Sequence, residues 1–292
     1  MEFSIANRIW KNRWRYIDRW FVNPVKGRNS AALRSLFRRV ETALSSFIYT
    51  QYQDWVHPNR DVREIPVIIN NFNRLESLRS LVAWLESAGM KNIIILDNGS
   101  TYPPLLSYYS SCPHEIVRET NLGPLALWSS RNLWRRVRND YYIYSDSDVV
   151  PDTYCPSDVI QLLYGILRSH PLSEKIGLGL RIDDLPDHYA RKTEVIAWEM
   201  RYWQRPISTN LYEAAVDTTF AMYRPRTMGG WWLRSLRTGG AYVARHVPWY
   251  QDSNNLTEEE RFYVRTAKPG MSTILEGQRW PRLIGQKSGL DR

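Results

Sequence analysis

Tyr141-Tyr142-Ile143-Tyr144-Ser145-Asp146-Ser147-Asp148 is the stretch whose reading decides the fold. An apolar and aromatic run of this length reads as a buried strand. Two carboxylates one residue apart follow it directly. Asp146 and Asp148 can hold a divalent cation, because hard cations take oxygen ligands. Asp-x-Asp alone also describes an ordinary polar turn, where Asp is common. The residues upstream separate the two readings.

Ile65-Pro66-Val67-Ile68-Ile69-Asn70-Asn71-Phe72 begins as a run rich in β-branched residues and predicts a strand buried on both faces. Leu75, Leu78, Leu81, Val82 and Leu85 then recur at helical spacing, and Gly89 supplies a stop. Asn92 to Leu96 reads as the next strand, closed by the turn signal Asp97-Asn98-Gly99-Ser100. Glu115 to Arg118 gives a third strand. It is followed by Asn121-Leu122-Gly123-Pro124 and a helix from Leu125 to Val137. The strand before Asp146 is the fourth. Strands alternating with helices predict a parallel sheet with crossover helices. Ligands of such sheets sit beyond the carboxyl ends of the strands. Asn71, Asn73, Asp97, Asn98, Asn121, Asp146 and Asp148 all fall at those ends. Taken singly, each also fits a turn or cap residue.

The stretch from Ile65 to Asp152, roughly a third of the chain, resembles the nucleotide-binding half of a glycosyltransferase of the A-type fold, most similar to the family 2-like group. The resemblance rests on Pro66 to Arg74, Leu96 to Thr101, Asn121 to Pro124 and Ser145 to Asp148, taken in order. It implies a single Rossmann-like α/β domain with a mixed, mainly parallel sheet. It implies that Asn71, Asn73, Arg74, Asp97 and Asn98 contact the base and ribose of a nucleotide sugar. Asn121 and Arg131 would border that pocket. Asp146 would lie near the ribose or a metal-bound water, and Asp148 would bind Mn²⁺ or Mg²⁺. Such a cation stabilises the charge that grows on a departing nucleoside diphosphate. Neither a P-loop nor a dinucleotide fingerprint is present.

Beyond Asp148 the pattern thins. Ile176 to Ile182, Val216 to Tyr223 and Ala241 to Tyr250 read as strands, and Thr257-Glu258-Glu259-Glu260 as a helix-capping box. In the resembled family a downstream histidine completes the metal shell, and His246 stands where it would be; a structural histidine is the alternative. An inverting transfer needs a base for the acceptor hydroxyl. Asp217 is the first choice, although the family usually places that acid at a helix start. Asp184 and Asp183 are rivals. Trp198, Trp203, Trp231, Trp232 and Trp249 offer faces to sugar rings, or simply pack the core.

The chain carries a net charge of +9. Residues 1–64 hold twelve Lys and Arg against six Asp and Glu, so 12 − 6 = +6 of that excess precedes the family-like part. Trp10, Trp14, Ile17 and Phe21 share one helical face there, and Arg8, Lys11, Arg15 and Arg19 another. This suits an anionic membrane surface, or a helix packed on the core or on a second subunit. Leu33, Leu36, Phe37, Val40, Leu44 and Phe47 mark a second amphipathic helix, expected to pack on the core or a partner. The organisation expected is therefore a basic helical extension (1–64), a catalytic domain (65–267, with nucleotide half 65–152 and acceptor half 153–267) and an arm or tail (268–292).

Cys112 and Cys155 give no disulfide framework, which fits a reducing, cytoplasmic setting with the option of peripheral membrane contact. No apolar run approaches the ~20 residues of a membrane span, and Met1 opens no secretory signal pattern. The leading reading is a metal-dependent transferase using a nucleotide-diphosphate sugar, UDP-sugar favoured, with a glycan or glycolipid acceptor in polysaccharide biosynthesis. A sugar nucleotidyltransferase is disfavoured by the glycine-free loop Asn70 to Arg74. A non-catalytic glycan- or nucleic-acid-binding protein is the reading from another class. Nucleic acid is not expected, because the basic residues concentrate outside the predicted site.

Overall fold

The computed structural model describes residues 28–230 and 233–267, with side chains from residue 40 onward. The expectations for Trp10 to Phe21, for Trp231 and Trp232 and for the 268–292 arm lie outside the described residues.

Helix α1 (Arg28–Val56) leads into a short 3₁₀ turn and strand β1 (Val67–Asn71). Then come α2 (Glu76–Ser87), β2 (Ile93–Asp97), α3 (Pro103–Tyr109), β3 (Glu115–Arg118), α4 (Ala126–Ser129), α5 (Arg131–Val137) and β4 (Tyr142–Asp146). The second half runs β5 (Val149–Pro151), α6 (Val159–Ser169), β6 (Lys175–Gly177), β7 (Gly179–Leu180), α7 (Lys192–Glu199), β8 (Pro206–Ser208) and β9 (Leu211–Glu213). It ends with β10 (Ala221–Tyr223), β11 (Ser235–Thr238), β12 (Val243–His246) and α8 (Glu258–Thr266). Nine strands form one sheet in the order β3-β2-β1-β4-β10-β6-β11-β9-β8, and β5-β12-β7 form a small second sheet. Strands β3, β2, β1 and β4 pair in parallel, while β10 joins β4 and β6 antiparallel. The mixed, Rossmann-like α/β fold expected from the sequence is the fold found.

Alternation along the strands explains why they are apolar throughout. Val67, Ile69, Ile93, Ile95, Tyr141 and Ile143 face α2 and α6. Ile68, Ile94, Leu96, Tyr142 and Tyr144 face α4 and α5 on the other side. A strand covered on both faces has no polar positions to spare. On the second face Tyr142 stacks on Tyr223, with ring centroids 5.0 Å apart. Gly89 ends α2 at φ 76°, as its position predicts.

Several boundaries differ from expectation. The helix expected over Leu125 to Val137 is two helices broken at Ser130, whose backbone turns extended and whose hydroxyl bonds Glu119. The strand expected over Ile176 to Ile182 is divided between the two sheets. Gly177 and Gly179 sit where a Cβ would lie 2.5 Å from Val216 and 2.4 Å from Trp203, so close packing sets the crossing point. Val216 to Phe220 stays outside β10, and Val247 to Tyr250 coils into a 3₁₀ turn at Pro248.

The second amphipathic helix exists, and where its side chains are described, from residue 40 onward, its apolar residues do not pack on the core. Val40, Leu44 and Phe47 are more than half exposed. A polar stripe faces inward instead. Ser46, Thr50 and Gln53 are buried, Gln53 donates to the Asn139 carbonyl, and Asp54 accepts from the hydroxyls of Tyr141 and Tyr164. The expectation weighed hydrophobicity, whereas this helix docks through hydrogen bonds.

Behind β10 and β11 lies a buried ion pair, Arg237 with Glu199, at 2.6 Å. Removing one partner strands the other charge, at a cost of ~3–5 kcal/mol. Glu199→Ala is expected to lower unfolding stability by about that amount in urea titrations. The double variant Glu199→Leu/Arg237→Met should recover most of the loss. A single variant as stable as the parent would show that the pair does not hold this face.

Candidate functional site

The site forms where strand β4 ends. Asn70 lies opposite Asp146 across β1 and β4, and the Asn70 carbonyl accepts from the Ser147 amide. β5 pairs antiparallel with β12, which sets His246 opposite Val149. The Asp148 carbonyl then accepts from the Val247 amide. This register brings His246 Nε2 within 3.8 Å of Asp148 Oδ2. Two residues about a hundred positions apart are thus neighbours because two short strands pair.

A cleft of about 200 Å³ opens at this point. Asn70, Asn98, Asn121, Asp146, Asp148 and His246 line it, with Arg74, Phe72, Tyr263 and the Gly123-Pro124 turn. It lies at the carboxyl ends of β1, β2 and β4, as parallel-sheet sites do. The Asn98 side chain accepts from the Leu122 amide and donates to the Gly123 carbonyl, so it braces the turn that forms one wall. Gly99, at φ 84°, allows this close approach; a Cβ there would stand 3.0 Å from the Asn121 amide nitrogen.

The two carboxylates differ. Asp146 Oδ1 accepts from Asn70 and Oδ2 from Thr218. Burial, and next the neighbouring Asp148 carboxylate, push the Asp146 carboxyl well above the usual range. Both Asp146 oxygens are thus engaged by side chains of the neighbouring strand and loop, one residue from Asp148. Asp148 and His246 make a usable two-point ligand set. Burial holds the imidazole below its ordinary value, so its neutral, ligating form is favoured. Trp249 packs against that ring at 4.7 Å. Among the described residues His246 Nδ1 has no hydrogen-bond partner. No group of three metal-ligating side chains is present among the described residues. Any remaining ligands would have to come from a bound phosphate or from water, as is usual for Mg²⁺.

Arg74 is the third charged group. Its guanidinium bonds Glu260 of α8, faces Asp148 with Nε at 3.9 Å, and lies 3.7 Å over the Tyr263 ring. Among the described residues Arg74 Nε has no hydrogen-bond partner, and neither does Asn70 Oδ1. Buried unpaired polar atoms are costly, and both of these belong to residues that line the cleft.

Several expected contacts fall elsewhere. Asn71 points to the opposite face of β1 from Asn70 and donates to the Tyr109 hydroxyl. A one-residue step along a strand reverses the side chain. Asn73, at φ 53°, accepts from the amides of Thr101 and Tyr102 and donates to Thr266, so it is a loop brace. Asp97 accepts from the Ser100 amide and the Tyr109 hydroxyl, below the cleft. Arg131 is exposed and does not line the cleft. Asp184 is taken up by Arg245, Arg181 and the Tyr250 hydroxyl, and Asp183 pairs with Arg181. Neither aspartate lines the cleft. Asn70, Tyr263 and Glu260 were not anticipated. Asn70 could have been found from strand alternation. Glu260 could have been found by asking what an acid in the first turn of a capped helix faces.

Asp217 does not line the cleft either. It is half-buried behind Thr218, among Lys175, Arg237 and Glu199. Burial is the main cause that lifts its carboxyl to about 6. A raised carboxyl pKa favours the fold below the unfolded value of about 4, and the advantage is lost as pH rises through 6. Stability should therefore fall between pH 4 and pH 6 on this account. Asp217→Asn is expected to flatten that part of the curve in thermal unfolding. An identical slope in parent and variant would assign the pH dependence elsewhere.

No family model matches the chain, and no curated protein matches it. Among solved structures it is similar to CMP:2-keto-3-deoxy-manno-octonic acid synthetase complexed with CTP, at 9% identity over 56% of this chain and 74% of that one, TM-score 0.33. It is similar to a mycobacterial protein at 14% identity over 64% and 67%, TM-score 0.36. It is similar to GalNAc-T7 with UDP, GalNAc and Mn²⁺ at 11% identity over 64% and 44%, TM-score 0.38. Likenesses this distant assign no activity.

Proposed function

We propose that the protein is a glycosyltransferase that moves a sugar from a nucleoside-diphosphate sugar to a hydroxyl of a glycan or glycolipid. The observation that carries this reading is the cleft at the strand ends, where Asn70, Asn98 and Asn121 line the same space as Asp148, His246 and Arg74. Amide side chains suit the base and ribose, because they both donate and accept. The charged groups suit a diphosphate only if more positive charge arrives. Arg74 is already committed to Glu260 and faces Asp148.

Asp148 and His246 are the residues that would hold Mn²⁺ or Mg²⁺. Such an ion, when bound, offsets the charge on the leaving diphosphate. Asp146, held by Asn70 and Thr218, can accept a hydrogen bond from a ribose hydroxyl. Arg74 borders the same volume and can turn its unpartnered Nε–H to a phosphate oxygen. The acceptor hydroxyl oxygen bonds to the anomeric carbon as the bond from that carbon to the diphosphate breaks; the electron pair leaves with the diphosphate, and the hydroxyl proton passes to solvent water. Inversion is preferred on the family resemblance of residues 65–152, and the same resemblance makes UDP-sugars the first donors to try. A nucleotidyltransferase fits less well, because the loop after β1 has no glycine-rich backbone cradle for a triphosphate, and its Asn73 is committed to bracing.

The test is a thermal-shift panel of UDP-, GDP-, CMP- and dTDP-sugars with their free nucleotides, in Mn²⁺ and in EDTA. One nucleotide series should stabilise the protein in Mn²⁺, and Asp148→Ala should abolish the metal-dependent part. Asn70→Ala should weaken that nucleotide about tenfold, the scale of one buried hydrogen bond. Asn71→Ala should leave binding intact while lowering stability. A flat response to every nucleotide, with and without metal, would overturn the proposal.

A further inference from the structure

Helix α1 meets the core along one polar stripe and leaves its opposite side in water. Ser46, Thr50 and Gln53 are buried, whereas Val40, Leu44, Phe47, Ile48, Tyr52 and Trp55 are exposed, Trp55 by 78%. These six share one half of the helix surface by their spacing. Every exposed residue from 40 to 56 is uncharged. The stripe is about 23 Å long at ~1.5 Å a residue. A contiguous apolar surface of this kind marks a place where something docks.

Charge, spacing, area and position say what covers it. Residues 40–56 contain no Lys or Arg, and their charged residues are Glu41 and Asp54, in a chain of net charge +9. A helix that lies on an anionic bilayer carries Lys and Arg beside its apolar side. Val40, Leu44, Phe47 and Gln51 follow the alternating four- and three-residue steps of a coiled-coil seam, and in the sequence Leu33 and Phe37 extend it by a heptad. At roughly 120 Å² exposed on each, the six residues offer ~700 Å² per copy, against about 800 Å² per partner in a standard interface. Contacts between identical subunits are the apolar, charge-poor class. The helix also sits away from the cleft. Gln53 donates to the Asn139 carbonyl and Asp54 accepts from the Tyr141 hydroxyl, both just before β4, whereas the cleft lies beyond its other end. The strand between them spans about 17 Å at ~3.3 Å a residue. A bilayer against α1 would hold the cleft that far from its headgroups. A second copy leaves both clefts open.

We infer that α1 is a dimerisation helix, and that two copies of the chain pack their apolar stripes face to face about a two-fold axis with both clefts turned outward. A two-fold contact sets the same patch on both sides. Each uncharged stripe therefore meets an identical one, and no charge is buried without a partner. Phe47 and Trp55, the large exposed rings of the stripe, are the anchors that carry most of the contact. The inference is independent of what the cleft binds.

Sedimentation velocity of the full chain, over about a hundredfold range of concentration and in low and high salt, decides it. The chain should sediment as a dimer in both salts, because an apolar contact is not screened. Leu44→Glu/Phe47→Glu should give a monomer with an unchanged circular dichroism spectrum, since both side chains are more than half exposed. Leu44→Ala, the milder arm, should raise the dimer Kd about tenfold. Leu172→Glu, at an exposed leucine elsewhere on the surface, should leave the dimer intact. A parent chain that is monomeric at every concentration, or a dimer that survives Leu44→Glu/Phe47→Glu, would overturn the inference. So would flotation of the parent with phosphatidylglycerol–phosphatidylcholine vesicles that the double variant loses, which would assign the stripe to a lipid surface.

Discussion

One buried guanidinium organises this site. Arg74 leaves the loop after β1, bonds Glu260, faces Asp148 and stacks on Tyr263. These contacts tie the last described helix to the first strand of the sheet, more than 180 residues away in sequence. The same group divides the space beside Asp148 into two cavities. Supporting contacts surround it. Asn73 reaches Thr266, Glu259 accepts from the amides that open α2, and Tyr102 packs on Phe262. Burying an arginine is tolerable only where its charge is matched, and breaking such a match is costly. The position of α8, and with it the far wall of the cleft, therefore follows from one ion pair.

The electrostatics then follow. Asp146, Asp148 and Glu260 converge, and one arginine and one neutral imidazole stand against them. The protein eases the crowding in two ways: it engages both oxygens of Asp146 and it pairs Glu260. Asp148 is left with its neighbours at nearly 4 Å rather than in direct bonds. A carboxylate held loosely beside a neutral histidine can change partners when a cation and an anionic ligand enter together. That is the physical basis for proposing a metal-assisted diphosphate site here.

Much of the fold was legible in the sequence, because strands buried on both faces are written as apolar runs and glycines mark where helices stop. Val67 to Asn71, Ile93 to Asp97 and Glu115 to Arg118 lie within a residue or two of their sequence readings at most edges. The second half was less legible. Its strands are short, and which sheet they join is set by tight contacts at Gly177 and Gly179 that no local pattern carries. The site divides in the same way. Asp148, His246, Asn98, Asn121 and Arg74, which the family resemblance singled out, all line the cleft. Asn70 against Asn71 turned on a one-residue register, and Glu260 on a contact between the two ends of the chain. Helix α1 was only half legible: from Val40 onward its apolar residues point outward, open to the partner that was the alternative to core packing, while Ser46, Gln53 and Asp54 make the contacts.

The most direct test of the account is anomalous diffraction at the manganese edge from crystals grown with UDP and Mn²⁺. The account predicts one Mn²⁺ held by Asp148 and His246, bonded to the diphosphate, with the base against Asn98 and Asn121. Mn²⁺ bound instead through Asp183 and Asp184, or a nucleotide lying outside the cleft of Asn70 and Asp148, would contradict it.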